Sequence, residues 1–237
     1  MIKRASFVLG SGLLVSLLAI MGIMAAGVLS ADSGDEQLLV EISLTNLTPG
    51  QILSPIFMAR HDGEMAPLYT LGLPASEELA LMAEDADASG LLADYHPSTN
   101  AYVSESMLLT LDDGPIPPGH TVTTQFQIDD DDTYLSFISM LVTTNDAFVG
   151  ASGLDLSHSR TVNLTAYDAG SEANSESCAY IPGPPCGSRA KDDAIAEGYV
   201  YVHNGIHGGQ ESGLNPATHD WHNPVARMTI KTWSLMK

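Results

Sequence analysis

Apolar and polar residues alternate with period two along several stretches of the chain, the signature of strands that bury one face. Leu38, Val40, Ile42 and Leu44 alternate with Leu39, Glu41, Ser43 and Thr45. Val122, Phe126 and Ile128 alternate with Thr123, Gln125 and Gln127, and Val162, Leu164 and Ala166 continue the series. Residues 134–142 are apolar on both faces, which predicts a central strand covered on two sides. Residues 102–110, 199–203 and 227–233 bring the expected set to about seven or eight strands.

Residues 74–94 break the pattern. They are rich in Ala, Leu and Glu, open with Pro-Ala-Ser-Glu-Glu, and place Leu79 and Met82 one helical turn apart. One or two short helices are expected here. Gly90 and the acidic residues 84–87 interrupt the apolar face, so the segment reads as an insertion between strands and not as a second domain. Pro- and Gly-rich turns at residues 48–50 and 115–119 separate the strands. The expected fold class is therefore all-β: a single antiparallel β-sandwich with a short helical insertion.

The first thirty residues are of another kind. Lys3 and Arg4 precede an apolar run from Phe7 to Leu29, with small residues at Ser30 and Ala31, the layout of a secretory signal peptide. The run is also long enough to span a bilayer, so an uncleaved N-terminal anchor is the alternative. Residues 31–237 then form the mature domain, expected to be secreted or held at the cell surface or in a periplasm. The two cysteines fit such a compartment: Cys178 and Cys186 bracket a Pro- and Gly-rich stretch whose turns bring its ends together, which predicts a local disulfide. With 29 acidic against 9 basic residues the formal net charge is −20, which repels the phosphate backbone and excludes nucleic acid as a partner.

The candidate chemistry lies in acids at strand ends. Asp146 follows the expected central strand and Asp168 the next clear strand. Residues 147–160 separate them, and fourteen extended residues reach about 45 Å, enough to travel back along the sheet. The two strands then run the same way, which gathers Asp146, Asp168 and Glu172 in loops at one end. Carboxylates from separate loops suit a hard cation, and calcium accepts such irregular oxygen coordination better than magnesium. The plain alternative is that these acids are turn formers or solvated charges, the reading preferred for residues 129–132. His203, His207, His219 and His222 raise zinc as a second metal, but His203 and His207 are separated by a glycine at a strand end and not placed on one helix face. There is no Gly-x-Ser-x-Gly string and no phosphate loop, so no catalytic residue is assigned. Asn46 and Asn163 match glycosylation acceptors.

Five strings carry a resemblance: Leu47-Thr48-Pro49-Gly50-Gln51, Asn145-Asp146-Ala147-Phe148-Val149-Gly150, Leu154-Asp155-Leu156, Tyr167-Asp168-Ala169-Gly170-Ser171-Glu172 and Pro224-Val225-Ala226-Arg227-Met228-Thr229. In kind and order they resemble the spondin N-terminal domain, over roughly residues 37–235. The resemblance implies a sandwich similar to C2 domains, used in animal extracellular-matrix proteins for adhesion, with a divalent cation bound by loop acids. Asp146 and Asp168 match the family's motif aspartates, and Glu172 stands where animal members have Asp. Ala147 and Asn145 replace the animal Trp and Pro, so an animal partner does not transfer. The expected function is a secreted, non-enzymatic adhesion module with loops organised by calcium, binding an extracellular protein, matrix or surface glycan. A metallohydrolase using the C-terminal histidines and a purely structural envelope protein are the alternatives.

Overall fold

Strand β1, Leu38–Asn46, is laid down by the first alternating stretch and buries Val40, Ile42 and Leu44 completely. It lies between β4 (Thr121–Ile128) and β10 (Ala226–Ser234), and β10 in turn pairs with β7 (Arg160–Leu164), all antiparallel. A second sheet has the order β3-β2-β5-β6-β8-β9, formed by β2 (Ile56–His61), β3 (Val103–Leu109), β5 (Tyr134–Met140), β6 (Ala147–Asp155), β8 (Ala166–Asp168) and β9 (Tyr201–Val202). These ten strands are found in a computed structural model that describes residues 37–129, 132–192, 194–209 and 212–235. The chain divides into two units, Met1–Gly34 and Asp35–Lys237, and the sandwich lies in the second. The export segment or anchor expected over residues 1–30 lies outside the described residues. Among the described residues no helix is long and apolar enough to cross a membrane.

The two sheets enclose a common core in which Val40, Ile42, Met228 and Ile230 pack with Leu135, Phe137, Ala147 and Val149. The helical insertion explains why β5 is apolar on both faces. Helix α1 (Glu77–Asp85), capped by Ser76 accepting from the Leu79 N–H, and helix α2 (Ser89–Asp94) lie on the outer face of the six-stranded sheet. There Leu79, Met82 and Leu91 meet Phe57, Ile138 and Phe148, while the intervening Phe137 faces the inner core. Each such side chain, removed from water, contributes roughly 1.5 to 3 kcal/mol. A third short helix, α3 (Pro216–His219), was not expected from the pattern.

Three expectations change. Strands β2 and β6 lie in stretches the alternation did not mark. The series Val162, Leu164 and Ala166 is two strands, not one: β7 belongs to the four-stranded sheet and β8 to the other, the chain switching sheets at Thr165. In the acidic turn, Asp132 is not solvated. It is buried, pairs with Arg60 at 2.8 Å and accepts from Ser104 Oγ at 2.9 Å, because Arg60, stacked over Phe126, needs a counter-charge on that edge.

Candidate functional site

The acids at the sheet end are placed by strand direction. β5 and β8 are both antiparallel to β6, so they run the same way and finish at the same end. The return path expected over residues 147–160 is made largely by β6 itself. Thr144 shapes the turn before it, donating to Leu141 O at 2.6 Å and accepting from the Ala147 N–H at 3.0 Å. That turn delivers Asp146 beside Asp168, the last residue of β8, whose Cα is paired with that of Ala147. The Asp146 carbonyl also accepts from the Ala169 N–H at 3.1 Å.

Asp146 and Asp168 are both fully buried. Asp146 Oδ2 accepts from the N–H groups of Ser171 and Glu172 at 2.9 and 3.0 Å, and from Ser171 Oγ at 3.3 Å. Its other oxygen, Oδ1, has no hydrogen-bond partner. Asp168 Oδ1 accepts from the Gly170 N–H at 2.7 Å, and Oδ2 from Asn174 Nδ2 at 2.6 Å. Gly170 is required here on two counts. Its φ is +65°, and a Cβ would collide with the backbone of Tyr199. Burial pushes the Asp146 carboxyl well up, and the neighbouring Asp168 charge pushes it further. Burial likewise raises Asp168, although its bonds to Asn174 and Gly170 oppose the rise.

Glu172 is close in the backbone but not in its carboxylate. Its N–H serves Asp146, whereas Oε1 accepts from the Asp192 N–H at 3.1 Å, in the surroundings of Glu84 and Lys191. Burial raises this carboxyl to about 7. The structure therefore brings Asp146 and Asp168 together and directs the Glu172 carboxylate elsewhere. Among the described residues, no three His, Cys, Asp or Glu side chains converge as a group that could hold a metal.

Three polar residues that the sequence did not single out surround Asp168. Asn174 Nδ2 also donates to Tyr201 Oη at 2.7 Å and lies 3.5 Å from Glu197 Oε1. Burial and the Asp168 charge hold the Tyr201 phenol well above its ordinary range. No spacing rule could have found Asn174, Glu197 and Tyr201, since Asn174 lies on the loop after β8, Glu197 on the loop before β9 and Tyr201 in β9 itself, joined only by tertiary packing.

The four histidines do not meet. His203 is buried against Trp221, with ring centroids 5.0 Å apart, and its Nδ1 accepts from the Gly205 N–H at 2.9 Å. Burial depresses it to about 4, so the ring is neutral at ordinary pH, with its proton on Nε2. His207 and His222 are exposed, and His219 Nδ1 accepts from the Asn215 N–H at 2.9 Å. Of the glycosylation acceptors, Asn46 is consumed by bonds to Gln51 O, Ile116 O and Thr48 and is fully buried, whereas Asn163 is exposed.

The expected disulfide is present, joining Cys178 to Cys186 with their Cα atoms 4.8 Å apart. It pins the stretch that follows the acidic loops. No curated protein matches the chain. The family model described as Spondin_N does match, over residues 47–185, a stretch that contains Asp146, Asp168 and Glu172 but stops before Glu197, Tyr201 and His203. A two-sheet antiparallel sandwich with the motif aspartates side by side at one end, together with that match over more than half its length, places the chain in the Spondin_N family.

Proposed function

We propose that this protein is an extracellular, non-enzymatic binding module whose loop end is organised by calcium held between Asp146 and Asp168. One observation carries the reading. Two carboxylates are buried side by side, no Lys or Arg among the described residues forms an ion pair with either, and Asp146 Oδ1 has no partner. Two like charges taken out of water are strongly unfavourable unless a cation accompanies them. The donors are hard oxygens, the set that calcium prefers, and the loops that carry them can adapt to its irregular coordination. The bound ion would supply positive charge, while Asp146 and Asp168 would fix loop 169–174 against the β5–β6 turn.

The family is an extracellular, non-enzymatic type, and the disulfide suits an oxidising exterior. The surface so organised would present loops to an extracellular protein, a matrix component or a surface glycan. No arrangement of the histidines favours a hydrolase. The test is calorimetric titration of the chelator-treated protein with calcium and, separately, with zinc. The reading expects one equivalent of calcium bound by the wild type and none by Asp168→Asn. Tight zinc binding lost on replacing His203, or calcium uptake indifferent to Asp168, would overturn it.

A further inference from the structure

At the end of the six-stranded sheet away from the paired aspartates, β2 finishes where β3 and β5 begin, with His61 paired to Val103 and Tyr134, roughly 20 Å along the strands from Asp146. The loops there enclose a cleft of about 550 Å³ lined by Asp62, Tyr102, Ser104, Asp132, Thr133 and Tyr134. That size lies within the range of small-molecule sites. A second cleft, of about 260 Å³, is lined by His61, Ser136 and Ser152 and shares Gly63 and Tyr134 with the first. No Lys or Arg lines either of them.

The polar floor of the larger cleft is fixed in advance. Asp132, only 7% exposed, pairs with Arg60 at 2.8 Å, accepts from Ser104 Oγ at 2.9 Å and, through Oδ1, from the Asp129 N–H at 3.1 Å. The Asp62 N–H donates to Tyr102 O at 3.0 Å, closing β2 onto the approach to β3, and Asp62 Oδ1 accepts from the Glu64 N–H at 2.8 Å. Tyr134 is held as a plate. Its ring stacks on that of the buried His61, with centroids 6.1 Å apart and planes 22° from parallel, and Gly63 lies so close that a Cβ there would come within 3.2 Å of it. Tyr102 is 50% exposed.

We infer that this cleft binds a neutral saccharide. A sugar ring presents faces of C–H groups edged by hydroxyls, so it needs an apolar plate beside acceptors and donors. Tyr134 and Tyr102 supply plates with a polar tip, Asp62 and Asp132 accept, and the Ser104 and Thr133 hydroxyls do both. Charge narrows the class. An anionic glycan is opposed by these carboxylates and by the net charge of −20. A cation is opposed at the floor, where Asp132 is already neutralised by Arg60, whose guanidinium would repel a second positive group. A neutral polyol meets neither penalty, and groups already locked in place lose little freedom on binding it. Because Tyr134 lines both clefts, there is room for more than one sugar unit. The site lies at the opposite end from the calcium reading and does not depend on it.

Isothermal titration calorimetry, with saturation-transfer NMR to detect weak binding, would test cellotetraose, maltotetraose and chitotetraose against the calcium-supplied protein, with tetragalacturonate as the charged counterpart. At least one neutral sugar should bind, with an affinity unchanged between about 0.05 and 0.5 M salt, as expected where no charges pair. Tyr102→Ala and Tyr134→Ala should each weaken it about tenfold or more, by loss of a plate. Tyr199→Ala, which removes an exposed tyrosine elsewhere, should leave it within about twofold, and so should Asp168→Asn, which abolishes calcium binding in the reading above. The two proposals therefore fail separately. Tyr102 is exposed, so its variant should fold, and circular dichroism would check both. Binding of none of the neutral sugars, tetragalacturonate binding as tightly as they do, an affinity that falls with salt, or one unaffected by Tyr102→Ala would overturn the inference.

Discussion

Replacing Asp146 by Asn separates the cost of the bare site from the gain on filling it. The amide oxygen of Asn can accept the three bonds now made by Oδ2 from Ser171 and Glu172, so the loop geometry is retained. What changes is Oδ1, a buried atom without a partner beside a second buried carboxylate. In Asn that position becomes an NH2 within hydrogen-bond reach of Asp168, so a buried group whose lack of a partner costs about 1 to 3 kcal/mol gains one, and the variant should be more stable than the wild type in chelator by that order. In a domain of this size about 1 kcal/mol moves the melting temperature by roughly 2 to 4 °C.

Calcium should reverse the advantage. At about a hundred times its dissociation constant, the ion adds roughly 2.7 kcal/mol to the wild type. If Asn weakens binding about a hundredfold, the same concentration adds only about 0.4 kcal/mol to the variant. Differential scanning calorimetry in chelator and in calcium measures both quantities. Asp113→Asn is the control: Asp113 is exposed in a turn at φ +61°, a conformation that Asn also tolerates. If calcium raises all three melting temperatures equally, diffuse screening of the acidic surface accounts for the effect and the argument from buried carboxylates is refuted.

Three further outcomes follow from the structure. Burial raises the Glu172 carboxyl from 4.5 to about 7, so the fold favours its protonated form: that stability is complete below 4.5 and is lost as pH rises to about 7. Chemical denaturation of metal-free Glu172→Gln should lack this part of the decline, and an unchanged slope would show that Glu172 is ionised in the fold throughout. Phe148 is fully buried between Tyr69 and Tyr167, with ring centroids at 5.0 and 5.7 Å, and Phe148→Ala should cost about 3 to 5 kcal/mol in urea titration. Replacing both Cys178 and Cys186 by Ser removes an eight-residue cross-link and should cost about 2 to 3 kcal/mol, with added reductant then causing no further loss.

The fold was legible wherever one face of a strand is buried and the other is wet, because that contrast is local and periodic. β1, β4 and β10 bury alternate residues and show it plainly. β2 does not, since five of its six residues are buried, as the helical insertion covers the face that would otherwise be polar. In β6 the first four residues are buried and the rest only partly covered, so no single period runs through it. The break between β7 and β8 leaves no mark at all. Leu164 and Ala166 face the same core from opposite sheets, so the alternation continues across the crossing and only the pairing partners reveal it.

The site divides in the same way. Asp146 and Asp168 could be brought together from sequence because strand direction follows from the length of chain between them. The direction of the Glu172 side chain could not, because it depends on an N–H twenty residues later at Asp192. Nor could the gathering of Asn174, Glu197, Tyr201 and His203 around Asp168, since these residues come from two loops and the short strand β9 with its flank, whose spacing from Asp168 carries no period. Sequence by itself determined which faces are buried and that two acids share one end of a sheet, because both follow from local alternation and chain length. Only the tertiary structure decided which side chains those acids meet, because that depends on how separate loops pack over the end of a sheet.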